Sequence, residues 1–281
     1  MIKMHRNPAK PLYQRLRGRF SLLFLACFLG MQNTAQAQSQ PPAKLLPFFD
    51  NIHNPVPVGF PRGQRLDITP PAPQLNPFDK AVLNICGPIG TRVTRNQFQQ
   101  LLSSYPSVLQ KLQTVSGGEI RPGRRNKTQF IEDLTDVWFK NRGFEHIFCG
   151  ELKSDNKIGG LHFYGRYLQL QNEGIGGRLP NNHRREEVVP GVIYTMGVVI
   201  NQGNRTFTDV IKGYSYLSNA QELLVDATQI FKLQGNSEGA CIFNVRDQDT
   251  GKTFPKVFVR RQQAIVTFYP DATPQGANCK R

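Results

Sequence analysis

Residues 143–167 read GFEHIFCGELKSDNKIGGLHFYGRY, and they hold two of the chain's five histidines, His146 and His162. Each histidine is surrounded by aromatic residues and bracketed by glycine. Segment 146–151 is expected to be a strand. Lys153, Ser154, Asp155, Asn156 and Lys157, followed by Gly159 and Gly160, are turn chemistry. Beyond them Leu161, Tyr164 and Leu168, with Phe163, Tyr167 and Leu170, recur at helical spacing. A polar turn between two ordered elements brings both imidazoles to one cleft. Imidazole titrates nearest neutral pH, so a facing pair suits general acid–base chemistry. Glu145 and Glu151 flank the first histidine without a role that sequence can assign. Cys149, three residues from His146, would lie on the opposite face of a strand, which argues against a cysteine nucleophile.

Upstream, residues 127–140 predict an amphipathic helix. Phe130, Ile131, Leu134, Val137 and Trp138 form its apolar face, and the chain's single tryptophan is therefore assigned to core packing. Thr94 and Gln97 make a capping box that opens a helix through Leu102. Residues 106–112 give a further turn or two, ended by Ser116-Gly117-Gly118. Residues 38–78 are proline-rich and aperiodic, and read as an extended, mostly unfolded arm or spacer. The folded domain is expected over 79–281, with 79–142 helical and 143–281 β-rich.

The first 37 residues read as a secretory signal peptide: a basic, acid-free start, an apolar run over 20–31, and an A-x-A site ending at Ala37. That run is too short to span a bilayer. A secreted or periplasmic location without membrane contact follows as the expectation. The whole chain carries a net charge of +15, and cleavage would leave 29 basic against 20 acidic side chains, a balance of +9. Such a balance suits a polyanionic partner. The densest basic groups, 121–127 and 183–185, lie in turn-rich stretches and read as solvated loops or phosphate contacts. Four cysteines remain after cleavage: Cys86, Cys149, Cys241 and Cys279. An exported chain favours disulfides among them, with three connectivities open. None forms a CxxC pair.

Downstream, residues 174–187 read as a loop that carries a solvated His183. Residues 188–200 and 204–216 are β-branched strands joined by a turn at Asn201-Gln202-Gly203. Lys212 lies near the end of the second strand, where an ammonium can enter a cleft. Ser218 is read as the N-cap of a box closed by Gln221, opening a helix to about Leu233. A helix start of this kind offers free N–H groups to an anion. Residues 240–245, 255–260 and 264–269 are further strands. Alternation puts Thr267 and Tyr269 on one face and Phe268 toward the core. The fold class is α+β: a helical N-terminal portion, then two antiparallel sheets with peripheral helices.

GFEHIFCGELK followed by GGLHFYGRY resembles the paired-histidine signature of the EndoU endoribonucleases, most nearly the bacterial EndoU domain. The resemblance covers roughly residues 92–270. Lys212 matches the family's strand lysine before a helix, and Ser218 its hydroxyl near that helix start, although the spacing exceeds that of viral members. The stretch Thr267-Phe268-Tyr269-Pro270 resembles the T-F-Y-P closing strand of nidoviral members. What the resemblance implies is cleavage of single-stranded RNA at uridylates by 2′-OH attack, leaving a 2′,3′-cyclic phosphate and a 5′-OH. His162 would be the base, His146 the acid, Lys212 the charge stabiliser, and Ser218, Thr267 and Tyr269 substrate contacts. It implies no required metal or other cofactor, with Mn2+ stimulation a family property. It also brings in a cognate immunity protein as a partner if the chain is a toxin. The alternatives are a catalytically inactive secreted binding module for RNA or protein, and a metal hydrolase using His146, His162 and His183. The latter lacks an H-x-H or HExxH ligand pair.

Overall fold

The computed structural model describes residues 45–280. The expected signal peptide with its Ala37 cleavage site, and residues 38–44 of the expected arm, lie outside the described residues. In chain order the elements are β1 (Val56–Pro57), β2 (Arg65–Leu66), α1 (Pro77–Cys86), α2 (Arg95–Ser104), α3 (Pro106–Val115), α4 (Lys127–Phe139) and a π-helical turn (Glu145–Cys149). Then come β3 (Glu151–Leu152), β4 (Ile158–Gly159), α5 (Tyr164–Asn172), β5 (Gly176–Arg178), a 3-10 turn (His183–Arg185), β6 (Glu187–Val189), β7 (Ile193–Gln202) and β8 (Arg205–Ser215). The chain closes with α6 (Ala220–Leu233), β9 (Gly239–Arg246), β10 (Thr253–Arg261) and β11 (Ala264–Pro270).

The helical portion forms where its caps place it. Thr94 and Gln97 make the expected capping box at α2. The helix α1 begins earlier than expected, because Pro77 stands at its first turn behind an Asn76–Asp79 capping box; proline is tolerated there, since its missing N–H would be unpaired anyway. Trp138 is fully buried in α4, and its indole donates to the Thr228 hydroxyl at 3.1 Å. The basic group at 121–127 is taken up by ion pairs: Arg121 and Arg124 with Asp133, Arg121 with Asp136, Arg124 with Glu132, and Arg125 with Glu119. It is a structural clasp on α4 rather than a free loop.

Residues 45–78 correct the reading of an unfolded arm. Phe48, Phe49 and Ile68 are buried. The amides of Phe48 and Phe49 both donate to Gln171 Oε1, and the Phe48 ring meets Tyr167 edge-on at 5.0 Å. Arg178 N donates to the Leu46 carbonyl at 2.7 Å. The partners of these aromatics lie about 120 residues downstream, which no local pattern reveals.

Two larger antiparallel sheets, with the two-stranded pairs β1-β2 and β3-β4 beside them, make up the β structure among the described residues. In the first, β8 runs along one edge of β7, while β6 and β5 share the other edge at its two ends. The second has the order β11-β10-β9. The expected single strand over 188–200 is broken at Pro190-Gly191, and the hairpin turn falls at Gly203-Asn204. The two sheets meet where β11 packs on β8 and on the π-helical turn. That junction holds the site.

Candidate active site

Segment 146–151 is not a strand. Arg142, in the turn that follows α4, lies in the left-handed region at φ 58°, and the chain then coils once more. His146 N donates to the Arg142 carbonyl, and Gly150 N closes a wider loop on the Glu145 carbonyl, both at 2.9 Å. A π-turn of this kind carries one extra residue and recurs at functional sites. Gly143 lets it approach β11, since a Cβ there would lie 2.5 Å from the Ile265 carbonyl oxygen. Cys149 ends the turn in a disulfide with Cys86, which excludes it as a nucleophile. The second disulfide joins Cys241 and Cys279.

Backbone pairing brings the second histidine to the first. Leu161 N donates to the His146 carbonyl at 2.7 Å, and His162 N to that of Ile147 at 2.9 Å. Gly160 is required here: a Cβ would lie 1.8 Å from the His146 oxygen, and its φ is 62°. Leu161 follows at φ 76°, a strained conformation for a bulky residue. Its burial and the bond from the Tyr167 hydroxyl to its carbonyl hold it there.

The two rings lie 5.6 Å apart, centroid to centroid, in unlike surroundings. His162 is buried, and its Nδ1 lies 3.1 Å from the Gly213 carbonyl. A carbonyl only accepts, so Nδ1 carries the hydrogen and Nε2 is left with its lone pair. Burial above all, then the charges of His146 and Lys212, hold the His162 pKa well below 6.5, against the opposing bond to Gly213. His146 is more open, and its Nδ1 lies 3.2 Å from Glu151 Oε2. The hydrogen bond from His146 is the main reason that Glu151 stays below the usual carboxylate range; burial opposes it, and the charges of His146, Arg142 and Lys153 assist it. Arg142 also reaches Glu151 at 3.3 Å. Glu151 thus holds His146 and Arg142 together, contacts that sequence did not assign. Glu145 braces the turn by accepting from Val93 N and Arg142.

Lys212 enters from β8. Met196 pairs with Lys212 and Val198 with Asp209, so β8 carries one extra residue at Val210-Ile211. A regular strand would put residues three apart on opposite faces; the bulge puts both on one face. Lys212 Nζ then lies 2.8 Å from Asp209 Oδ2, and Asn182 fixes the bulge by donating to the Val210 carbonyl at 3.0 Å. From β11 come Thr267 and Tyr269, with Phe268 buried behind them. Tyr269 stacks on His162, with ring centroids 5.2 Å apart and planes 27° from parallel. Thr267 Oγ1 is buried and has no hydrogen-bond partner among the described residues.

His146, His162, Lys212, Thr267 and Tyr269 line one cleft of about 790 Å³. Ser218 is not among its lining residues. The cap of α6 is Asn219 with Glu222 rather than Ser218 with Gln221, and the helix start receives the Asp79 carboxylate on Ala220 N at 2.8 Å. Ser218 instead accepts a hydrogen bond at 2.8 Å from Lys256, which is fully buried. Burial lowers the Lys256 pKa to about 8 against the pull of Asp226, Glu222 and Asp247. His183 also lies outside the cleft, 3.4 Å from Glu186. Among the described residues no three or more His, Cys, Asp or Glu side chains are grouped to hold a metal ion. No helix among them is long and apolar enough to cross a membrane.

Residues 140–272 match the family model described as bacterial EndoU nuclease. No curated protein sequence matches the chain. Among solved structures, the chain is similar to XendoU, described as a splicing-independent snoRNA-processing endoribonuclease, at 16% identity and a TM-score of 0.48, covering 70% of this chain and 77% of that one. It is also similar to the Nsp15 endoribonuclease of Middle East Respiratory Syndrome Coronavirus, at 18% identity and a TM-score of 0.35, covering 54% of this chain and 41% of that one. The matched segment spans both histidines, Lys212 and the Thr267–Tyr269 strand, so it is residues 140–272 that match the bacterial EndoU nuclease domain.

Proposed function

We propose that the chain is a secreted endoribonuclease that cuts single-stranded RNA after uridylates by transesterification. The observation that carries this reading is the inequality of the two histidines across one cleft. His162 is pushed toward its neutral form with Nε2 free, which suits a base on the 2′-OH. In its charged form His146, with Nδ1 donating to an ionised Glu151, carries a second hydrogen on Nε2 for the departing 5′-oxygen. The Lys212 ammonium lines the same cleft and would stabilise the charge that grows on the phosphorane; Thr267, whose hydroxyl is unpartnered among the described residues, lines it too. Neither proton transfer calls for an added group. The exposed side of Tyr269 offers a ring face to a base, and the uridylate preference rests on the resemblance of its strand to the T-F-Y-P stretch. Two disulfides support an oxidising destination.

The test is end-group analysis of an oligonucleotide that contains one ribouridine in a deoxyribose background. Cleavage should leave a 2′,3′-cyclic phosphate and a 5′-OH, in excess chelator as well as without it. A 5′-phosphate product would rule out the transesterification, and intact substrate would favour the inactive binding module.

A further inference from the structure

A second hollow of about 590 Å³ opens on the far side of Glu151. Lys153 and Asp155 line both it and the histidine cleft, so the two are continuous along the turn between β3 and β4. Its basic side chains are Arg92, Arg142 and Lys153. The carboxylate at its inner wall, Glu151, is already engaged by His146 and Arg142. Arg92 and Lys153 make no side-chain ion pair among the described residues, and both are exposed. The loop that presents Arg92 is fixed at four points. Cys86 before it is joined to Cys149, and Arg166 donates to the Gly87 carbonyl at 2.9 Å. Gln202 donates to the Ile89 carbonyl at 2.8 Å, and Val93 N to Glu145 at 2.9 Å. A basic side chain on a pre-set backbone loses little freedom when it takes an anion.

We infer that this hollow binds the phosphates of the RNA strand 3′ to the cut, with Arg92 as its principal contact. The inference rests on the proposed roles of the two histidines. His146 protonates the 5′-oxygen of the departing strand, and that strand therefore leaves on the His146 side of the cleft. Glu151, which touches His146, forms the wall between the two spaces. The next phosphates along the departing strand meet positive charge there. The ligand is a polynucleotide backbone rather than a base, so this subsite reads length and charge, not sequence.

Binding of non-cleavable deoxyoligonucleotides tests this without relying on catalysis. A 5′-labelled dUpdA, its extension by three nucleotides on the 3′ side, and an equal extension on the 5′ side are compared by fluorescence anisotropy at low salt, with wild type and Arg92→Glu. The 3′ extension should tighten binding by roughly tenfold in wild type, and Arg92→Glu should abolish that gain and flatten the salt dependence by about one counterion. The 5′ extension should be indifferent to Arg92→Glu. Equal gains from both extensions, a 3′ gain that survives Arg92→Glu, or no gain at all would overturn the inference. Failure of the nuclease reading shows separately, as a ribouridine substrate that stays intact while the binding pattern holds.

Discussion

Replacing Lys256 by Met changes how the stability of this protein depends on pH. Lys256 lies on β10, beside the strand that carries Thr267 and Tyr269, fully buried, with its ammonium bonded to Ser218 and 3.8 Å from Asp226. Its pKa falls from 10.5 to about 8 on folding, chiefly through burial. At neutral pH that difference is worth ~3 kcal/mol against the folded state. The faces of Phe268 and Phe254, 4.7 and 5.3 Å from Nζ, favour the ammonium and offset ~1–2 kcal/mol of it. A net cost of ~1–2 kcal/mol remains at pH 7. Between about pH 8 and 10.5 the unfolded chain holds a proton that the folded chain has released, so stability rises with pH across that window. Buried Tyr167 and Tyr214 have raised pKa values and act in the opposite sense above pH 10, so the comparison stops at pH 9.5 and uses Lys256→Met as its reference. Urea unfolding followed by the fluorescence of Trp138 should show wild type gaining ~1–2 kcal/mol on the variant from pH 7 to 9.5. Parallel stability curves would refute the reasoning, because a lysine that stays charged in the core carries no such linkage.

A uridine 3′-aryl phosphate, whose leaving group needs no proton, should restore turnover to His146→Ala and Glu151→Gln but not to His162→Ala, each variant being ~10²–10⁴-fold slow, Glu151→Gln least, on an ordinary dinucleotide. The acidic limb of kcat/KM should lie clearly below pH 6.5, because His162 must be neutral and its pKa is depressed; a limb at or above 6.5 would reassign the base. Phe48→Ala should cost ~3–5 kcal/mol by urea denaturation, and deletion of residues 38–78 should prevent folding, whereas a stable, active truncation would show that Phe48 and Phe49 do not complete the core. Cys86→Ala together with Cys149→Ala opens a 63-residue separation and should cost about 4 kcal/mol in the chain-entropy account, read as a lower urea midpoint with the Cys241–Cys279 bond intact.

The parts of the site legible in sequence were those that depend on residue type and order: two histidines around a glycine turn, a lysine on a later strand, and an alternating Thr267–Tyr269 pair. The sheet class followed from β-branched and alternating runs, α4 and α5 from periodicity, and the start of α2 from its capping box. What stayed hidden were single-residue departures from a period. The π-turn adds a residue to a helical path, so a strand reading of 146–151 gave no reason to join His146 to Glu151, which are bonded. The bulge at Val210-Ile211 hid the pairing of Asp209 with Lys212 in the same way. Ser218 and Asn219 are both good caps, and only the tertiary demand of Lys256 for an acceptor decides between them. The arm was misread because its core partners lie in α5 and β5, far along the chain.

The Cys86–Cys149 bond fastens the last residue of the turn that carries His146 to the end of α1. A bond of this kind is disfavoured in a reducing compartment and persists in an oxidising one. Without it, the turn that carries His146 and the loop that carries Arg92 are joined by non-covalent contacts alone. For a chain exported as proposed, the staple would make the full rigidity of this site conditional on leaving the compartment of synthesis, a self-protection built into the covalent chemistry of the fold and independent of any inhibitor.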